Sequence, residues 1–198
     1  DVAGVLDVVC GYPVFPFYGN LLGAVREHDI IAHDAGGFDM GYVSRHHDPD
    51  EVRAEFAGVC LALLERGYHL RLEPWSVYVR SQRSDHVFVD VNYAWFTAGG
   101  ELNFSFGWRY APVTDRDRFF YPRESLIGNH VVRVPGNAEQ VLEQIYGPSW
   151  AVPDQGFALD AGLRRDPAFL LAADEMLELE RKDPDRVEAR LETYTDDG

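Results

Sequence analysis

Lysine is almost missing from this chain: Lys182 is the only one among 18 basic residues. Schiff-base and lysine-nucleophile mechanisms are therefore poor expectations. Cysteine is also scarce. Cys10 and Cys60 are too few for a secreted disulfide framework, and each sits in an apolar helical pattern that reads it as a small core residue. No apolar run approaches the roughly 20 residues needed to span a bilayer, and no basic start precedes an apolar stretch. The expectation is a cytoplasmic protein without a signal peptide or a membrane span. Positive charge is short as well, since 33 acidic residues against 18 basic ones give a net charge of −15. A chain this acidic does not hold polyphosphate by bulk attraction, so nucleic acid is excluded as a partner. An anionic substrate needs a divalent cation or a local group of arginines to overcome that field.

What is present is a sizeable core, with 46% hydrophobic residues in 198. Val2 to Cys10 repeats apolar residues at helical spacing and stops at Gly11-Tyr12-Pro13. Because the chain opens at Asp1 on that helix, position 1 reads as a processed or trimmed start, or as one domain of a longer polypeptide. A buried strand is expected over Val14 to Tyr18, and Gly19-Asn20 then opens a helix running to Arg26. Such a turn presents free backbone N–H groups to an anion. Phe38 to Val43 reads as a strand, and Asp48-Pro49 caps a long amphipathic helix that ends at Gly67. From Tyr68 to Phe106 the period becomes two, with strands expected near 68–73, 76–82, 86–92 and 102–106. Helices follow over Ala138 to Tyr146 and from Asp166-Pro167 onward, and an acidic tail from Asp185 reads as frayed. With no internal repeat, the expected class is α+β in a single domain.

Three carboxylates stand where a solvated charge is not expected. Asp34 and Asp39 flank a glycine loop leading into an apolar strand, and Asp90 lies inside Val87-Phe88-Val89-Asp90-Val91. Alternation places Asp90 on the face shared by His86, Phe88 and Asn92. An unpaired carboxylate in a half-buried strand costs several kcal/mol, so it needs a partner, either an arginine or a metal ion. Two acids on a loop and one on a nearby strand, facing a glycine turn, suit a Mg²⁺ and phosphate site.

Gly19-Asn20-Leu21-Leu22-Gly23-Ala24-Val25-Arg26, then Asp29-Ile30-Ile31 and His33-Asp34 through Asp39-Met40-Gly41-Tyr42, resembles the opening motif of the LicD and fukutin-related family of the nucleotidyltransferase-fold superfamily. Phe120-Tyr121-Pro122 and Val134-Pro135-Gly136-Asn137-Ala138, with Tyr146-Gly147-Pro148-Ser149-Trp150, resembles its closing segment. The resemblance implies a nucleotidyltransferase-like mixed sheet with packed helices over residues 1–157, leaving 158–198 as a C-terminal helical extension with an acidic tail. It implies transfer of a phosphocholine- or polyol-phosphate-like group from a CDP-type nucleotide donor to a carbohydrate acceptor, with Mg²⁺, in glycan or cell-surface polysaccharide modification. Carried over by position, Asp34, Asp39 and Asp90 become the catalytic and metal-holding acids. Gly19, Asn20 and Arg26 become the donor-binding residues, with His33 lining the site.

The loop Asp34-Ala35-Gly36-Gly37-Phe38-Asp39 departs from the family pattern of alternating acids, since the middle acid is missing and the outer two stand five positions apart instead of four. A two-glycine loop can bulge and still bring both to one ion. The competing expectation is a catalytically silent glycan- or nucleotide-binding domain of a larger assembly. Among the remaining residues, Trp75, Trp95, Trp108 and Trp150 read mostly as core or rim, with an exposed subset near Trp95 and Trp108 available to stack on sugars. Arg109, Arg116, Arg118 and Arg123 are available to clamp an anion, and His46-His47-Asp48 reads as a solvated turn before a helix cap.

Overall fold

The computed structural model describes residues 2–11, 14–31, 37–81, 88–108, 115–154, 156–158 and 162–191. Nine strands form a mixed sheet and a separate hairpin among these residues. In chain order the elements are α1 (Val2–Cys10), β1 (Phe15–Pro16), α2 (Tyr18–Leu22), β2 (Phe38–Val43), α3 (Pro49–Glu65), β3 (His69–Glu73), β4 (Ser76–Arg80), β5 (Phe88–Phe96) and β6 (Leu102–Phe104). They continue with α4 (Arg116–Phe119), the hairpin strands β7 (Arg123–Ile127) and β8 (His130–Val134), then α5 (Ala138–Tyr146), α6 (Ala173–Lys182) and β9 (Val187–Ala189). The main sheet runs β1-β2-β5-β4-β3-β9, and β6 pairs with the far end of β5. β2 lies parallel to β5 and β9 parallel to β3, whereas the other neighbours are antiparallel.

The central strand explains the layering. Val91, Tyr93 and Trp95 point into one core, where α1, α3 and α6 pack over them through Leu6, Phe56, Leu63 and Met176. Ala94 and Phe96 point into a second core with Phe17, Leu21, Phe119, Leu142 and Ile145. Alternation therefore sets Asp90 and Asn92 on the second face, beyond the end of its apolar packing. α3 starts where the sequence indicates: the Asp48 carboxylate accepts the N–H groups of Asp50 and Glu51.

Several local expectations are corrected. The first strand is only Phe15–Pro16, because Phe17 already caps α2 and its carbonyl accepts the amides of Asn20 and Leu21 at 3.0 and 3.1 Å. α2 does not run regularly to Arg26 but widens into a π-helical turn over Gly23–Glu27. β5 continues to Phe96, four residues past the expected end, since its later residues are buried against both cores. Asp166-Pro167 begins only a 3-10 turn, and α6 starts at Ala173. The tail is not frayed throughout: Val187–Ala189 adds a parallel strand beside β3, with Val187 only 3% exposed. Phe169 and Leu171 join the first core, so the segment beyond 158 shares the packing of the main sheet.

Gly41 shows how tightly the second face is built next to Asp39. A Cβ at Gly41 would lie 2.6 Å from the Asn92 carbonyl and 2.8 Å from the Phe17 ring. Gly41→Ala is expected to destabilise the fold by about 1–3 kcal/mol through this overpacking, read as a lower urea midpoint with an unchanged slope.

Candidate functional site

Asp39 and Asp90 are paired partners in the register of the parallel strands β2 and β5. Neighbouring strands lie about 4.8 Å apart and registered residues share a face, so the two carboxylates stand side by side. The register continues across the sheet from Asp90 to Tyr78 on β4 and from Tyr78 to Arg71 on β3. A polar row thus crosses four strands of an otherwise apolar sheet. The Arg71 guanidinium lies 4.0 Å over the Tyr78 ring and does not pair with Asp90.

Asp90 is only 9% exposed, and its Oδ1 has no hydrogen-bond partner among the described residues. Burial raises its proton affinity above the ordinary 3.8, while the neighbouring polar side chains of Ser76, Tyr78 and Asn92 and the charge of Arg71 oppose that shift. Burial pushes the Tyr78 phenol up to about 12, with the Asp90 charge adding to it. Two adjacent carboxylates, one of them with a buried oxygen left unmatched, suit a hard divalent cation such as Mg²⁺. No group of three metal-ligating residues occurs among the described residues. A cation on Asp39 and Asp90 would therefore draw further oxygens from water or from a ligand.

Asp39 also lines a cleft of about 1060 Å³. Tyr18, Gly19, Leu22 and Arg26 form one wall from α2 and its π-helical extension, and Tyr146, Trp150, Pro153 and Phe157 form the opposite wall. Glu27, Asp29 and Asp154 keep its rim acidic. Arg26 joins the two walls: its Nη1 donates to the Trp150 carbonyl at 3.0 Å and its Nε to Glu27 at 2.7 Å. The widened turn supports this contact, because Gly23 allows the Asp29 carbonyl to approach within 2.4 Å of where a Cβ would sit.

The residues singled out in the sequence divide three ways. Gly19, Arg26 and Asp39 line the cleft, and Asp90 adjoins Asp39 on the next strand. Asn20 is 3% exposed and is not among the lining residues, while its backbone N–H is held by Phe17; the free N–H expected there for an anion is absent. His33 and Asp34 lie outside the described residues. Trp95 is fully buried and stacks on Phe169 with ring centroids 4.3 Å apart, so it is not a sugar platform. Arg116 lies over the Phe96 and Phe120 rings and Arg123 pairs with Glu139, so neither clamps an anion in the cleft; Arg109 lies outside the described residues.

The aromatic wall carried by the Tyr146-to-Phe157 segment was not legible as a site. Its signal was the helix stop at Gly147-Pro148 followed two residues later by an aromatic residue, Trp150. No protein-family model matches the chain, and no curated protein matches it significantly.

Proposed function

We propose that this protein is a Mg²⁺-dependent transferase that moves a phosphorylated group, phosphocholine- or polyol-phosphate-like, from a CDP-type nucleotide donor to a carbohydrate acceptor in glycan modification. The observation that supports it best is the pairing of Asp39 with Asp90 beside a cleft walled by Tyr146 and Trp150. The resemblance of the opening and closing motifs to the LicD and fukutin-related family, and with it a nucleotidyltransferase-like fold, belongs to the same reading.

In this reading the base of the donor lies against Trp150, and its phosphates reach toward Asp39 and Asp90. A divalent cation held by those carboxylates would neutralise charge on the transferring phosphate. Arg26 fixes the Trp150 backbone and so sets the width of the cleft. The acceptor hydroxyl oxygen bonds to phosphorus as the bond to the nucleotide oxygen breaks, the electron pair leaving with the nucleoside monophosphate. In the alternative arrangement Asp90 takes the hydroxyl proton instead of holding the cation.

Calorimetric titration with CDP, in the presence and absence of Mg²⁺, tests the proposal. Affinity should rise at least about tenfold with the cation, because phosphate oxygens complete the ligand set. Nucleotide binding that ignores Mg²⁺ and is unchanged in Asp39→Asn would identify a metal-free binding domain instead. Trp150→Ala should weaken CDP binding by about 1–3 kcal/mol, the range for an aromatic stacked on a base. An unchanged dissociation constant would remove Trp150 from the site.

A further inference from the structure

Much of the cleft wall opposite Trp150 comes from one short stretch of chain. Arg26, Glu27, Asp29, Ile30 and Ile31 line the cleft, and all of them sit on the π-helical turn or on the segment leaving it. Such a turn interrupts the regular α-helical ladder. The His28 amide, which in an α-helix would donate to the Ala24 carbonyl, donates to the Gly23 carbonyl instead. Ala24 is fully buried, so its carbonyl needs another donor.

The hairpin of β7 and β8 supplies it. Ser125 on β7 is 9% exposed, and its hydroxyl donates to the Ala24 carbonyl at 2.5 Å. Ile127, on the same face of β7, is buried in the second core, so a polar residue at 125 answers to the carbonyl and not to the packing around it. A second bond lies at the hairpin's own turn, where the Gly128 amide donates to the His28 carbonyl at 2.9 Å. His28 has φ of +55°, a left-handed conformation that a non-glycine residue keeps only when its surroundings hold it. The two bonds therefore bracket Arg26 from behind, while its guanidinium reaches forward to the Trp150 carbonyl.

We infer that the hairpin braces the cleft wall, with Ser125 as a positioning residue for nucleotide binding that acts through the turn carrying Arg26. This rests on the reading of the cleft as a nucleotide site. Ser125 is not among the residues lining the cleft, and its hydroxyl is committed to the backbone, so it touches no ligand.

Ser125→Ala removes the hydroxyl and leaves the Ala24 carbonyl with only the His28 ring nitrogen, 3.2 Å away. CDP with Mg²⁺ is titrated into the wild type and the variant below the melting temperature of both, and hydrogen exchange is followed by mass spectrometry. The dissociation constant for CDP should rise about fivefold or more, within the range for a residue that modulates a site without contacting the ligand. Exchange over residues 24–31 should quicken, while β2 and β5 keep their wild-type rates. Equal CDP affinity in the two proteins would overturn the assignment. Exchange that quickens in β2 and β5 as much as in the turn would also overturn it, because Ser125 would then support the whole fold and not this wall. Should Ser125→Ala fail to fold, the same outcomes are read from Ser125→Cys, a weaker donor of similar shape. If the wild type binds CDP and the variant binds it equally, only this assignment fails. If the wild type does not bind CDP at all, the nucleotide reading fails and takes the assignment with it.

Discussion

Asp90→Asn is expected to make the protein more stable and much less active. The carboxylate is buried, and an unmatched buried polar atom costs about 1–3 kcal/mol. Replacing the charge by a neutral amide of the same shape should raise the melting temperature at pH 7 by about 2–4 °C for each kcal/mol recovered. The sign of the pH dependence follows from the raised proton affinity. The folded state binds the Asp90 proton more tightly than the unfolded state does. Stability therefore falls as pH rises from the ordinary value of 3.8 through the higher folded value, and the full cost of ionisation is present above it. Asp90→Asn should flatten that part of the profile in metal-free buffer. In the same variant, transfer should fall on the order of 10²–10³-fold, the usual loss when one preorganised electrostatic contact to a developing charge is removed. A variant that is less stable than the wild type and still active would show that Asp90 is a structural acid.

Phe169→Ala is expected to cause a large loss of stability. The Phe169 ring stacks on Trp95 with an interplanar angle of 11°, and its carbonyl accepts the Tyr93 hydroxyl at 2.8 Å. Both partners are fully buried on the central strand β5. Truncation should cost about 3–5 kcal/mol, as for other buried aromatic residues, read as a reduced urea midpoint in a single transition. The variant tests whether the segment beyond 158 belongs to the cooperative unit. A loss below about 1 kcal/mol, or two separate transitions, would return that segment to the status of an appended extension.

Much of this architecture is legible in the residues. Phe38–Val43 and Ala138–Tyr146 are strand and helix at the expected limits, because period and capping agree there. Alternation alone placed Asp90 on the face it shares with Phe88 and Asn92, opposite Val89 and Val91. What alternation does not contain is register, which brought Asp39 opposite Asp90 on the parallel neighbour. The hairpin of β7 and β8 was not seen, since buried Ser125 and exposed Leu126 and Val131 invert the polar and apolar alternation that marks a strand. Trp95 was misjudged in part because an aromatic strand reads alike whether it faces solvent or a helix. The 3-10 turn over Pro167–Phe169 that covers it comes from more than 70 residues away. The π-helical widening at Gly23–Glu27 also escaped, because apolar period and capping residues do not distinguish a π turn from an α turn.

The central claim is that Asp39 and Asp90 together hold a divalent cation when a nucleotide lies against Trp150. Crystals of the protein grown with Mn²⁺ and CDP, with anomalous diffraction collected at the manganese edge, test it most directly. The account predicts one strong anomalous peak between the two carboxylates, within about 2.0–2.3 Å of an oxygen from each and of a CDP phosphate oxygen. CDP bound in the cleft without that peak, or with the ion bound away from both residues, would contradict it.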